Sequence, residues 1–242
     1  MRQHFDHVDS TQRVAVELAR AGAPPGAVVI ADRQESGRGR LDHRWESPVG
    51  GLYLSTILPS APPADGLLPL AMGSSVATAL RPFSARPWLK WPNDLLVVEP
   101  PRAPRKLGGV IVDVVANSGG TPVTVVGVGI NVDAPSSAYP SDLRGHLVQL
   151  SELAGRPVRI EEVERAVVPA LFQAAERLAH AGGRQATVET CRTQLYGWGQ
   201  PVTVDGSPAG LLEGLEDDGA VVLAQGERRT RVVAGDLRVE FR

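Results

Sequence analysis

Cysteine, lysine and asparagine are scarce in this chain of 242 residues. Cys191 is the sole cysteine, which excludes an internal disulfide framework and fits a reducing compartment. His4, His7, His43, His146 and His180 show no metal-ligand spacing with it, so no zinc motif exists. No apolar run approaches the ~18 residues that a membrane span requires. The opening Met1-Arg2-Gln3-His4-Phe5-Asp6 lacks the apolar core of a secretory signal, and a cytoplasmic location is expected. A dominant charge is missing too. Lys and Arg number 25 against 27 Asp and Glu, a net charge of −2. That balance excludes a broad electrostatic footprint for nucleic acid or an anionic membrane.

What remains is informative. A hydrophobic fraction of 43% excludes general disorder, and the length suggests one or two domains. Only Lys90 and Lys106 are lysines; every other basic residue is arginine. Asn93, Asn117 and Asn131 are the only asparagines. Where arginine covers ordinary surface charge, a remaining lysine merits attention, because a compact ammonium and a planar guanidinium differ in shape and hydration.

Asp9-Ser10-Thr11 ahead of Val14, Val16 and Leu18 reads as a capped helix over about 10–21. Val28–Ala31 reads as a buried strand. Residues 32–51 form a polar, glycine-rich stretch of about 20 residues, long enough to suggest a functional loop. A strand at 52–58, a Pro/Ala linker at 59–66 and a helix at 67–80 follow. Strands at 88–90 and 95–98 flank a Trp91-Pro92-Asn93-Asp94 turn. Leu107–Val115 and Val123–Ile130 read as a hairpin, and 161–180 as a long helix ended by Gly182-Gly183. From Gln200, five short apolar runs alternate with Asp-Gly, Gln-Gly and Ala-Gly-Asp turns, the pattern of an all-β barrel of about 45 residues.

Four segments carry candidate chemistry. Gly37-Arg38-Gly39-Arg40 offers close backbone approach and planar donors for phosphate or carboxylate, although such loops are more often solvated surface. Lys90-Trp91-Pro92-Asn93-Asp94 is either an ordinary turn or a set of parts for a nucleotide and magnesium. Arg105-Lys106-Leu107-Gly108-Gly109 is either a charged strand mouth or a lysine entering a site beside a thinned backbone. Gly127-Val128-Gly129-Ile130-Asn131 lacks the third glycine and the following helix of a dinucleotide fingerprint, and no P-loop motif is present.

In this order, Ser10-Thr11, Gln34, Gly37–Arg40, Trp45, Lys90–Asp94, Arg105–Gly109 and Gly127–Val132 resemble the motifs of the biotin–protein ligases (biotin–[acetyl-CoA-carboxylase] ligases). The resemblance extends over essentially the whole chain. It implies an α+β fold: a mixed β-sheet catalytic domain with packed helices, of the class II synthetase-like biotin–lipoate ligase type, at 1–190. A small C-terminal all-β SH3-like barrel is implied at 191–242. The implied reaction joins biotin and ATP into biotinyl-5′-AMP, then passes biotin to a lysine of a biotin carboxyl carrier protein domain of a carboxylase.

By that resemblance, Ser10, Thr11 and Gln34 would bind the ureido ring, where neutral donors and acceptors suit a neutral urea. Gly37, Arg38, Gly39, Arg40, Gly109, Gly127 and Gly129 would line the biotin pocket. Lys106 would reach the biotin carboxyl and the phosphoryl oxygens. Trp45 would cover the adenine, and Arg38, Arg40, Lys90, Asn93 and Asn131 would contact the nucleotide. Lys106, Arg38, Arg40 and Asp94 form the catalytic set, with Asp94 either a magnesium ligand or the acceptor of a proton from the incoming lysine. ATP, biotin and Mg2+ are the expected small molecules, with no tightly bound prosthetic group. The 35–49 loop would act as a lid that orders over the adenylate.

The chain departs from the family pattern in two places. Asp42-His43 stands where many members read Gly-Arg, which leaves Arg44 as a substitute cation, and Gln12 stands where asparagine is common. Asp9-Ser10-Thr11 begins almost at once, so no DNA-binding domain and no direct DNA contact are expected. A monomer or a ligand-linked homodimer is compatible with the sequence. The rivals are a lipoate or octanoate ligase or transferase, a non-catalytic biotin sensor, and an RNA-binding role for the barrel. Lack of a cysteine in the motifs counts against a transferase. The two lysines with Asp94 count against a sensor, and the barrel's mixed charge counts against RNA.

Overall fold

The structure is a computed structural model that describes residues 1–40, 43–58 and 63–240. Leu41, Asp42, the first half of the expected 59–66 linker and the end of the expected last strand at Phe241 lie outside the described residues.

A seven-stranded mixed sheet forms the larger part. Its strands are β1 (Arg2–Phe5), β2 (Val28–Ala31), β3 (Gly51–Ile57), β4 (Trp88–Lys90), β5 (Asp94–Val97), β6 (Arg105–Ala116) and β7 (Pro122–Asn131). The order is β1-β2-β3-β7-β6-β5-β4, with β1 parallel to β2 and every other neighbour antiparallel. Alternation along each strand sends side chains to opposite faces. Val28 and Ile30 join the main core, whereas Val29 joins a second cluster with Ile57 and Val125.

Helix α1 (Thr11–Arg20) covers the second cluster. Its buried positions are Thr11, Gln12, Ala15, Val16 and Ala19, a stripe at helical spacing that turns two polar residues of the first turn toward the sheet. Helix α2 (Leu67–Ala79) is buried along most of its length, and α4 (Ile160–Leu178) and α5 (Ala181–Gln194) pack on it over the main core. The short α3 (Leu150–Ala154) carries a capping box between Gln149 and Glu152.

A five-stranded antiparallel sheet ends the chain: β8 (Pro201–Val204), β9 (Ser207–Leu215), β10 (Val221–Gln225), β11 (Arg228–Val232) and β12 (Leu237–Val239), in the order β11-β10-β9-β8-β12. This two-part α+β architecture matches the expected fold class. The expected division at 190/191 falls inside α5, and the second sheet starts at Pro201. Val202, Leu212, Leu215, Val221, Leu223 and Leu237 continue the same hydrophobic cluster as the helices. The fully buried Trp91 donates its indole N–H to the Gly219 carbonyl at 2.9 Å, tying β4–β5 to the small sheet.

Three elements, β1, α3 and α5, go beyond the sequence reading. β1 pairs as a parallel edge strand despite its polar composition. Gly182-Gly183 does not end helical structure but sits in the first turn of α5.

Candidate active site

One cavity gathers most of the singled-out residues. It opens over the glycine-bearing middle of β6 and β7 and is lined by Ser10, Thr11, Gln34, Gly39, Arg40 and Trp45, among others. Arg38, Lys90, Asn93, Asp94, Lys106, Gly109, Gly127 and Gly129 also face it. Gly37 and Asn131 do not. Gly37 accepts the Trp45 amide at 2.8 Å, and a Cβ there would stand 2.5 Å from both Ser47 Oγ and the Trp45 carbonyl. Buried Asn131 donates to the Lys106 carbonyl at 3.0 Å, so it fixes the Lys106 backbone from behind.

The cavity has two chemically different ends. At the cationic end, both lysines of the chain converge on Asp94. Lys106 Nζ lies 2.7 Å from Asp94 Oδ1, and Lys90 Nζ lies 3.6 Å from Asp94 Oδ2. The β5–β6 register shifts between Leu95 and Leu96, which sets Asp94 opposite Gly109 and Lys106 opposite Leu96. Lys90 also reaches Asp236 Oδ1 at 3.3 Å, and Arg40 donates to the Gly235 carbonyl at 2.9 Å. The turn before β12 thus brings two residues to the wall. Burial opposes ionisation of Asp236, but Arg238 and Lys90 outweigh it and hold this carboxyl below the ordinary range.

At the other end, polar groups sit buried without partners. Ser10 occupies the N-cap position of α1, yet its hydroxyl makes no capping bond. Ser10 Oγ and Gln12 Oε1 are buried and unpaired there, and Trp45 Nε1 is likewise buried and unpaired on the strip between the ends. Unpaired buried polar groups are costly, and three on one cavity mark a place for a polar ligand. Thr11 and Gln34 are already joined: Gln34 Oε1 receives the Thr11 amide at 2.8 Å and its hydroxyl at 3.1 Å.

Between the ends, Gly109 and Gly129 face each other across β6 and β7 and leave a bare strip. The Trp45 indole lies on it, since a Cβ at Gly129 would stand 2.6 Å from the ring. Lys106 Nζ is 5.0 Å from the ring centroid. Within the described part of the 35–49 loop, Gly39 donates to the His43 carbonyl at 2.7 Å and Arg38 forms a β-bridge with Arg44. His43 and Arg44 both face the cavity; Asp42 is not among the described residues.

Magnesium is poorly served by the protein alone. Both Asp94 oxygens already carry lysine contacts, and the described residues hold no group of three His, Cys, Asp or Glu that could bind a metal. Cys191 is fully buried away from the cavity, and burial pushes its thiol up to about 12. It has neither the exposure nor the acidity of a nucleophile.

The sequence reading passed over Asp113, Gly235 and Asp236 and noted Gln12 only as a departure. A lone acid inside the valine-rich run 110–115 was the available signal for Asp113. Nothing local marks Gly235 and Asp236.

Residues 4–131 match the model of the Biotin/lipoate A/B protein ligase family, and the chain belongs to that family. A biotin–[acetyl-CoA-carboxylase] ligase of Mycobacterium tuberculosis is 30% identical over 244 residues, covering 94% of this chain and 85% of the relative. The bifunctional ligase/repressor BirA of Bacillus subtilis is 28% identical over 253 residues, 99% of this chain and 75% of that one. The biotin protein ligase of Aquifex aeolicus, solved with biotin and ATP, superposes with a TM-score of 0.82 at 27% identity, covering 99% and 98% of the two chains. Among the described residues no helix is long and apolar enough to cross a membrane.

Proposed function

We propose that this chain is an ATP-dependent biotin–protein ligase that forms biotinyl-5′-AMP and transfers biotin to a lysine of a carboxylase carrier domain. The observation that carries the reading is the cavity with the unpaired Ser10 hydroxyl and Gln12 carbonyl at one end and Lys90, Lys106 and Arg40 at the other. A ligand with a urea at one end and a carboxylate at the other matches that polarity.

In the first step the biotin carboxylate attacks the α-phosphorus of ATP, and the bond to the departing pyrophosphate breaks. Lys106, Lys90, Arg38 and Arg40 hold two anions together that would otherwise repel, which is where electrostatic preorganisation contributes most. Magnesium carried by the nucleotide would supply further charge neutralisation at the phosphates, and Asp94 would be the cavity carboxylate to hold it. Trp45 covers the adenine, and Asn93 and Asn131 complete the nucleotide side, Asn131 acting through the Lys106 backbone. In the second step the acceptor amine attacks the acyl carbon, AMP leaves, and Asp94 is placed to take the amine proton. The loop carrying Arg38 and Trp45 excludes water from the mixed anhydride. The protein works as a monomer or ligand-linked homodimer in the cytoplasm.

The test is biotin-dependent pyrophosphate release from ATP, followed by labelling of a purified carrier domain. Release that requires biotin, with label appearing on the carrier lysine, is expected. Release with lipoate or octanoate but not biotin would overturn the reading.

A further inference from the structure

We propose that Gln12 selects for a ligand with a ring N–H beside its carbonyl, and that Asp113 is the positioning residue that aims it. This rests on the biotin reading above and names the group that enforces its ligand class. Gln12 Nε2 donates to Asp113 Oδ2 at 2.9 Å and to the Val125 carbonyl at 3.3 Å. A primary amide has two N–H donors and one carbonyl, so both donors are engaged by strict acceptors. Flipping the amide would put its oxygen against a carboxylate and a carbonyl. The orientation is thereby set, and Oε1 is left as an acceptor without a partner.

That oxygen stands on the cavity wall against Gly127, where a Cβ would lie 2.5 Å from it. Gly127 therefore makes room for the Gln12 carbonyl. Other acceptors nearby are engaged: Gln34 Oε1 by Thr11, while Gln34 Nε2 donates to Ser47 Oγ at 2.8 Å. Ser10 Oγ is also unpaired, but a hydroxyl adapts as donor or acceptor. The wall thus presents one oriented acceptor and one adaptable hydroxyl. A cyclic urea, with N–H adjoining C=O, complements both. A dithiolane ring or an alkyl chain supplies no donor and leaves the buried oxygen unpaired, the kind of mismatch that discriminates strongly. Asp113 Oδ2 also receives Arg38 Nη1 at 3.5 Å, so one carboxylate holds both the selecting amide and the cationic loop.

The experiment measures binding by calorimetry without ATP. The ligands are biotin, lipoate and the two cyclic-carbamate analogues of biotin, each with one ring N–H replaced by oxygen. Wild type should bind one carbamate about tenfold or more weakly than biotin, the loss expected for an unpaired buried acceptor. Gln12→Leu and Asp113→Leu should bring that ratio toward one. Asp113→Asn should retain it, because its carbonyl still receives Nε2. A folded Gln12→Leu or Asp113→Leu protein with the wild-type ratio would overturn the proposal. Should either leucine variant not fold, wild type decides alone: equal affinity for biotin and both carbamates overturns it. Lack of biotin binding by wild type, with lipoate bound instead, refutes the functional reading and this proposal with it.

Discussion

Replacing Lys106 by glutamine separates the two things this residue does. Its ammonium pairs with Asp94 at 2.7 Å, and its side chain is 32% exposed. A pair this accessible is screened and contributes at most about 1 kcal/mol to folding. A loss of that size lowers Tm by about 2–4 °C in a chain of this length. The effect on reaction is larger. Charge builds on phosphoryl oxygens as carboxylate and α-phosphorus join, and losing one oriented donor there costs about 2.7–4 kcal/mol, or 10²–10³ in rate. Glutamine keeps a donor and nearly the length but removes the charge. Biotin-dependent pyrophosphate release at saturating ATP should therefore fall 10²–10³-fold, while Tm moves by no more than about 4 °C. Arg156→Gln, which breaks a surface pair with Glu162, serves as the control and should leave the rate unchanged. A near-normal rate in folded Lys106→Gln, or an equal loss in the control, would refute the assignment.

Other outcomes are equally open to measurement. Gly129→Ala should drive the Trp45 indole off the strip, because the new methyl would lie 2.6 Å from the ring. Its intrinsic fluorescence should change, and the same substitution in a Trp45→Phe background should not reproduce the change. The 35–49 loop should be cut by protease readily in the ligand-free protein and slowly with biotinyl-adenylate; equal rates would remove the lid role. Cys191, pushed up to about 12 from 9.0 by burial, should resist iodoacetamide at pH 8–9 until the protein is denatured. Above about pH 9 the unfolded thiol ionises while the folded one keeps its proton, so this group costs the native state stability as pH climbs toward 12. Fast labelling of the folded protein would contradict that burial.

Much of the fold was legible because its signals are local. The β6–β7 hairpin, α1 and the terminal strands each follow apolar periodicity bounded by glycine or by Asn and Asp turns. β1 was not legible: Arg2–Phe5 has no alternation of its own and becomes a strand only by pairing with β2. At the start of α5, two glycines imitate a stop, and docking against α2 overrides their poor helical propensity. The site divides the same way. Ser10, Arg38, Arg40, Lys90, Asp94 and Lys106 belong to compact motifs and meet in one cavity. Asp236 reaches Lys90 across 146 positions, and Gln12 reaches Asp113 across 101. Pairings of that span leave no trace in spacing, since the fold alone creates them.

The carboxylates around the cavity carry a consequence for specificity in a crowded cell. Asp94, Asp113 and Asp236 sit against Lys90, Lys106 and Arg38, so the cations come supplied with internal counterions. Dissolved salt has little to neutralise there, and an incoming triphosphate displaces tethered carboxylates more than it releases condensed ions. Nucleotide affinity should accordingly change far less with ionic strength than binding to a bare basic surface does. Other polyanions gain nothing by approaching, because a weak contact cannot outcompete partners held in place by the fold. Only a ligand that engages several of these cations at once can part them from their carboxylates.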